Sequence, residues 1–180
     1  MRWSSHESPF GRLTLVAGDR GLRELHFPGR VSALKPADRD PGSLRDVLNQ
    51  LEEYFAGKRE TFDVALHLSG TVFQRRVWRA LQELPYGRVT TYGHLARELG
   101  IDDSRTPGTG GRLVSAAQKV GWAIGANPTP IVIPCHRVIG ADGSLSGYSG
   151  GLQRKRALLD FETAAPSAGF WSHQGQLALL

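Results

Sequence analysis

The chain has 180 residues, of which 40% are hydrophobic, and its formal net charge is +5. It contains no apolar run near the roughly 18 residues of a membrane-spanning helix, and residues 1–6 lack the apolar core of a signal peptide. The single cysteine excludes an internal disulfide and argues against a cysteine-based zinc site, so we expect a reducing, cytoplasmic environment.

Residues 1–69 are predicted to form a scaffold domain, a small antiparallel sheet followed by a helix. Ser43 is expected to cap that helix, which should end near Gly57. Ten Lys/Arg balance ten Asp/Glu here, and no catalytic grouping is visible. The predicted strands cover residues 2–6, 12–17, 21–27 and 61–66.

Residues 70–162 are predicted to form a mainly helical second domain, which makes the fold class α+β; residues 163–180 are a C-terminal tail. Thr71 should cap a first helix. Two short helices, at 92–99 and from Val114 to about Gly125, form a helix-turn-helix, which places its second helix in a DNA groove. Twelve Lys/Arg against seven Asp/Glu make this domain basic and suit a polyanionic partner.

The one cysteine lies in the sequence Pro-Cys-His-Arg-Val at residues 134–138. The β-branched run before it, residues 131–133, predicts a buried strand that Pro134 ends, so Cys135 should lie where the chain turns. Thiols react as thiolates, and a nearby imidazole favours that form. The alternative is a buried, purely structural cysteine.

This motif closely resembles the acceptor-cysteine motif of the O6-alkylguanine-DNA alkyltransferases, which repair DNA by moving an alkyl group from guanine onto themselves. Asn-Pro at 127–128 and Gly-Tyr-Ser-Gly-Gly-Leu at 147–152 also resemble that family. The resemblance implies irreversible transfer to Cys135, once per molecule, with O4-alkylthymine as a further candidate substrate. It implies double-stranded DNA with O6-alkylguanine, approached through the minor groove, as the partner. No metal, cofactor, membrane or obligate protein partner is implied, and the protein is expected to be a cytoplasmic monomer.

The resemblance also implies roles for individual residues. Cys135 would lose its proton through a water to His136, which Glu162 would hold. Tyr92 would protonate the leaving base, and Asn127 would brace the turn ahead of the acceptor segment. The base pocket would be lined by Val138, Tyr148, Ser149, Ile124 and Pro130. The DNA-binding residues would be Gln118, Lys119, Arg112, Gly121, Ala117 and Thr91.

The helix-turn-helix departs from the family pattern in two ways. The connection over residues 101–113 is longer than the family's usual turn. Gln118 takes the place of the arginine that fills the gap left by a flipped nucleotide. Gln118 could hydrogen-bond to an orphaned base but has no charge, so Lys119 or Arg112 is expected to supply the cation.

Other functions fit parts of the same pattern. An alkyltransferase-like protein would bind alkylated DNA without repairing it, but those relatives lack the cysteine. A cysteine hydrolase could use Cys135 and His136, but it needs an oxyanion hole and turns over. A helix-turn-helix regulator with an inert cysteine is the remaining alternative.

Overall fold

The computed structural model describes residues 1–29, 34–102, 106–107 and 113–164. The described residues form two compact units: residues 1–70 with 128–132 make up unit 1, and residues 71–127 with those from 133 onward make up unit 2. Their antiparallel sheet, helices and buried cysteine confirm the predicted α+β class. In the described part of the chain, no helix is long and apolar enough to cross a membrane.

Unit 1 is built on a three-stranded antiparallel sheet. The strands follow one another in space as in sequence: β1 (Arg2–His6), β2 (Leu13–Gly18) and β3 (Gly21–His26). Gly21 has a φ of 129°, and a Cβ there would lie 2.2 Å from the Ala65 carbonyl oxygen, so only glycine fits. Helix α1 (Arg45–Phe55) buries one face, which consists of Val47, Leu51 and Tyr54.

Two predictions for unit 1 are wrong. Ser43 does not cap α1, because the Asp40 carboxylate accepts the Ser43 N–H at 3.2 Å and a 3-10 turn precedes the helix. The strand expected over residues 61–66 is reduced to one bridge between Leu22 and Leu66.

Unit 2 is mainly helical. Its helices are α2 (Val72–Gln82), α3 (Tyr92–Glu98), α4 (Ala116–Gly125) and α5 (Leu152–Ala164). Its short strands are β4 (Thr90–Thr91), β5 (Thr106–Pro107), β6 (Leu113–Val114) and β7 (Val138–Ile139). Strand β4 pairs in parallel with β7, and β5 pairs antiparallel with β6. The sheet pieces are too short to form a core, so the helices supply it.

Side-chain caps define where three of these helices begin. Thr71 accepts the Gln74 N–H at 3.1 Å, and Gln74 Oε1 accepts the Thr71 N–H at 2.8 Å, which is a complete capping box. Thr91 caps α3, and Ser115 caps α4. Each cap satisfies a backbone donor that the first helical turn would otherwise leave unpaired.

The buried indole of Trp78 ties α2 to α4. Its Nε1–H donates to the carbonyl of Ala123 at 2.7 Å, and its side chain is 1% exposed. Helix α4 also packs against α3, where Leu95 and Val120 are both buried. The two helices of the predicted helix-turn-helix are therefore held by a common core.

Two predictions around the acceptor segment are wrong. Val114 lies in β6, not in α4, because Ser115 caps the helix after it. Residues 131–133 form a turn and an isolated bridge instead of a strand, and Ile131 has a φ of 76°. Pro128, Pro130 and Pro134 remove three backbone donors from this stretch, so no ladder can run through it.

Candidate active site

The acceptor segment is a buried 3-10 turn. The turn spans Cys135–Arg137, and all three of its side chains are buried. Asn127 Nδ2 donates to Cys135 Sγ at 3.1 Å and to the Ile133 carbonyl at 2.8 Å. Asn127, just after the end of α4, thus holds the thiol at the first residue of the 3-10 turn.

His136, the next residue in the chain after Cys135, belongs to a buried charged network with Glu162 of α5. The carboxylate of Glu162 is 2.8 Å from His136 Nε2. Arg137 donates to the same carboxylate through Nε at 2.9 Å and Nη2 at 2.8 Å, and the Gly87 N–H donates to it at 3.1 Å. Fully buried charges are stable only when paired in this way, so the network fixes both the ring and the 3-10 turn.

The geometry determines how His136 is protonated. Because an ionised carboxylate can only accept, Nε2 carries the proton, and Nδ1 of the neutral ring is an acceptor. Nδ1 is buried and has no hydrogen-bond partner among the described residues. Burial lowers the pKa of His136, against the raising effect of Glu162, so the ring is neutral and able to take a proton.

The carboxyl group of Glu162 stays ionised. Burial alone would raise its pKa, but the charges and hydrogen bonds of His136 and Arg137 outweigh burial and hold the pKa below its ordinary value. A permanent negative charge on Glu162 favours the protonated form of His136 once a proton arrives.

The thiol itself ionises with difficulty. Burial raises the pKa of Cys135 to about 11, although the Asn127 hydrogen bond and the positive charge of Lys155 pull in the opposite direction. Little thiolate exists at neutral pH in such a site, so forming it requires a base.

Lys155 is a fully buried cation beside the acceptor segment. Its Nζ donates to the carbonyls of Val138 at 2.6 Å and Ser146 at 2.8 Å, and it lies 3.5 Å from Tyr92 Oη. Burial lowers the pKa of Lys155 to about 8, while the charge of Cys135 opposes that change. Tyr92 Oη donates to the Ser146 carbonyl at 2.8 Å, and burial raises the pKa of this phenol.

A cleft on unit 2 opens beside Tyr92. Its lining combines α4 with the loop after β7, and consists of Tyr92, Ala117, Gln118, Gly121, Trp122, Ser146 and Gly147. Gly147 has a φ of 61°, and a Cβ there would lie 3.3 Å from Tyr92 Oη. Glycine at this position keeps the loop close to the phenol. The cleft therefore leaves Tyr92 accessible along α4.

Comparisons with known proteins agree with this site. The chain matches two family models, the 6-O-methylguanine DNA methyltransferase ribonuclease-like domain over residues 1–68 and its DNA binding domain over residues 72–164. A methylated-DNA–protein-cysteine methyltransferase of Mycobacterium bovis is 44% identical over 168 residues, 90% of this chain and 92% of the relative. The chain belongs to the 6-O-methylguanine DNA methyltransferase family.

Similarity extends to a second curated relative and to solved structures. A methylated-DNA–protein-cysteine methyltransferase of Methanosarcina acetivorans is 39% identical over 165 residues, 90% of this chain and 98% of that one. The crystal structure of Mycobacterium tuberculosis OGT in complex with DNA is 42% identical, with a TM-score of 0.76, covering 93% of this chain and 96% of that chain.

The five residues expected to be catalytic in this family lie in unit 2. Asn127 is bonded to Cys135, His136 is bonded to Glu162, and Tyr92 lies beside Lys155. Their catalytic roles stay predictions.

The residues expected around the base belong to both units. Val138, Tyr148 and Ile124 are buried in unit 2, and Ser149 is partly exposed there. Pro130 is buried within unit 1. That all five line a base pocket stays a prediction.

The expected DNA-binding residues have four different placements. Gln118, Ala117 and Gly121 line the cleft beside Tyr92. Lys119 lines a neighbouring cleft, while Thr91 caps α3. Arg112 lies outside the described residues.

Sequence reasoning assigned no role to two residues of the site, Arg137 and Lys155. Arg137 stands inside the acceptor motif, but nothing in the sequence indicates that Glu162 is its partner. Lys155 carries a clearer signal, because it precedes Leu158 by three residues and Glu162 by seven, which places it on the buried face of α5.

Proposed function

We propose that this methyltransferase moves the alkyl group of O6-alkylguanine in duplex DNA onto Cys135, in a single irreversible turnover. The observation that carries the proposal is the buried thiol beside a neutral His136 whose Nε2 is held by Glu162 at 2.8 Å. A thiol so difficult to ionise needs a base, and His136 Nδ1 is a buried acceptor next to it in the chain.

The transfer is a displacement at saturated carbon. The thiol proton passes through a bridging water to His136 Nδ1, and Sγ attacks the alkyl carbon as the bond from that carbon to O6 breaks. The electron pair of the broken bond leaves with the guanine, which takes a proton from Tyr92 Oη. Lys155, 3.5 Å from that oxygen, can return a proton to the phenolate. The thioether has no route back to the thiol, so the protein is consumed.

Backbone groups of the acceptor turn would hold the extruded base. The carbonyl of Cys135 accepts the Val138 N–H, and the carbonyl of Val138 accepts from Lys155 at 2.6 Å. Each carbonyl oxygen has a second lone pair, which suits it to accept from the exocyclic amine of guanine. The Ser149 N–H would donate to O6, with Tyr148 as a wall. To protonate the base, Tyr92 must exchange its hydrogen bond to Ser146.

Helix α4 would approach the DNA from the minor groove. Ala117 and Gly121 are small, lie on the cleft side of this helix, and permit close approach to a backbone. A base inside the duplex cannot be attacked, so it must be extruded at a cost of a few kcal/mol. In this proposal residues 70–162 bind DNA and carry the chemistry, residues 1–69 form a scaffold, and the protein acts on DNA in the cytoplasm.

Stoichiometry tests the proposal directly. A duplex carrying O6-methylguanine with a radioactive methyl group is supplied in excess, and the label is followed in protein, DNA and solvent. We expect one methyl group per protein molecule and none on Cys135→Ser. A parallel duplex with O4-methylthymine tests the wider substrate range.

The rival functions give different results in the same assay. Methanol released over many turnovers would indicate a hydrolase. Binding of the duplex without any labelled protein would indicate an alkyltransferase-like or regulatory protein. Either result contradicts the proposal.

A further inference from the structure

The side chain at the family's arginine position, Gln118, is engaged within its own helix. Its Oε1 accepts the Ser115 N–H at 3.0 Å and the Ser115 hydroxyl at 3.3 Å, while the Gln118 N–H donates to Ser115 Oγ at 3.3 Å. This capping box turns the amide oxygen of Gln118 back towards the N-terminus of α4. The residue that replaces the arginine therefore serves the start of the helix.

One turn further along the same face of α4 lies Trp122, which is 64% exposed. Its indole N–H has no hydrogen-bond partner within the part of the chain that the structure describes, in contrast to Trp78, which is 1% exposed and bonded to Ala123. An indole is rarely left so open to water, because burying it is worth more than burying most side chains. Trp122 is thus available to an outside partner.

The surroundings of Trp122 indicate what that partner is. The indole lines the cleft that leads to Tyr92 and Gly147, and it also lines the neighbouring cleft together with Lys119 and Phe73. A cation next to an exposed aromatic ring is typical of surfaces that bind nucleic acid, where the cation meets phosphate and the ring meets bases. Helix α4 also belongs to the segment that matches the family's DNA binding domain.

We propose that Trp122 is a DNA-contact residue that stacks in the minor groove against the base step next to the extruded nucleotide. This inference rests on the proposed function, since it presupposes that a nucleotide leaves the stack. Extrusion exposes the faces of the neighbouring bases, and apolar side chains inserted from the minor groove stabilise such unstacked steps. An indole presents a larger flat face than any other side chain and needs no particular base, which suits a protein that searches any sequence.

Gln118 and Trp122 therefore have separate roles, the capping of α4 and the contact with the base stack, which one arginine could not combine. Gln118 can complete the capping box with Ser115, which an arginine cannot do because it has no acceptor. Trp122, four residues later, supplies the contact with the disturbed stack. Lys119 lies between them and supplies the charge.

The test compares transfer from two substrates, a duplex containing O6-methylguanine and the free O6-methylguanine base. Trp122→Ala is expected to lower the ratio of the duplex rate to the free-base rate by about tenfold or more, from the usual strength of base–aromatic stacking. Trp122→Phe should retain most of the ratio. Val72→Ala, which shortens an exposed side chain of α2, is the matched control and should leave the ratio unchanged.

The outcomes separate this inference from the proposed function. Absence of transfer from both substrates in the unaltered protein would contradict the proposed function itself. Normal transfer by that protein, with an unchanged ratio in Trp122→Ala, would overturn the inference alone. The free-base rate of each variant reports that its pocket is folded, so a general loss is not mistaken for lost stacking.

Discussion

At the scale of single residues, the site combines a thiol that resists ionisation with groups that favour its ionised form. Burial raises the pKa of Cys135 to about 11, and Asn127 and Lys155 act against burial. The motif around Cys135, together with its family resemblance, led to His136, Glu162, Tyr92 and Asn127 as candidates. His136 adjoins Cys135, whereas Glu162, Tyr92 and Asn127 came only from the resemblance, since no periodicity connects residue 136 with residue 162.

Replacing Glu162 with glutamine tests the relay. Glu162→Gln removes the charge that favours protonated His136, so we expect transfer at neutral pH to slow by about tenfold to a hundredfold. The defect should shrink as the pH approaches the thiol's pKa of about 11, because alkali then makes the thiolate without help. Transfer rates measured across this pH range check the expectation. The control is Asp160→Asn, which removes the charge of an exposed carboxylate on the same helix, α5. An equal defect at every pH would mean that Glu162 acts only through the fold.

Lys155 provides a second test at this scale. Lys155→Met keeps the length of the side chain but removes a positive charge that lowers the pKa of Cys135. We expect iodoacetamide to alkylate the only cysteine about tenfold more slowly at a fixed pH, since a neighbouring charge shifts an ionisation constant by a decade or more. Arg156→Met, on the same helix, should have little effect. Unchanged alkylation in Lys155→Met would exclude an electrostatic role for this lysine.

At the scale of elements, the start of a helix could be predicted from the sequence where a side-chain cap determines it. Thr71 was expected to cap α2 and does so. The pattern Ser-Ala-Ala-Gln at residues 115–118 is also a capping box that could have been predicted. The strand predicted from the β-branched run at 131–133 is wrong because three nearby prolines prevent strand pairing. Composition alone does not show whether the strand preference of β-branched residues or the loss of backbone donors at the prolines is the stronger effect.

The cap of α2 has a measurable energetic role. Thr71→Ala removes the acceptor of the Gln74 N–H, so we expect the free energy of unfolding to fall by about 1 kcal/mol. Urea unfolding measures the change. Val72→Ala at the next position, where the side chain is 77% exposed, should stay within about 0.5 kcal/mol. Similar losses in both variants would show that the cap contributes nothing specific.

At the scale of the whole molecule, the net charge and the predicted catalytic residues are found in the same part of the chain. Residues 1–69 are neutral, and residues 70–162 carry the entire net charge of +5. The uneven distribution of charge predicts a polyanionic partner for residues 70–162. The match of residues 72–164 to a DNA binding domain agrees with that prediction. The domain boundaries stay a prediction, because composition does not locate the residue at which one domain ends and the next begins.

The salt dependence of duplex binding tests whether Lys119 contributes to this charge effect. Each cation that meets a phosphate adds about 0.9 to the slope of log affinity against log salt. We therefore expect Lys119→Ala to flatten the slope by about that amount. Lys58→Ala, an exposed lysine of unit 1, is the matched control and should leave the slope unchanged. A Lys119→Ala slope equal to that of the unaltered protein would remove Lys119 from the phosphate contacts.

The central claim is that Cys135 accepts the alkyl group, and peptide mapping by mass spectrometry tests it most directly. The protein is incubated with a duplex containing O6-methylguanine and digested with trypsin, which releases residues 120–137 as one peptide with Cys135 near its end. We predict that this peptide gains the mass of one methyl group, that fragmentation assigns the methyl to the cysteine sulfur, and that Cys135→Ser gains nothing. A methyl group on any other residue, or repaired DNA with an unmodified Cys135, would contradict the account.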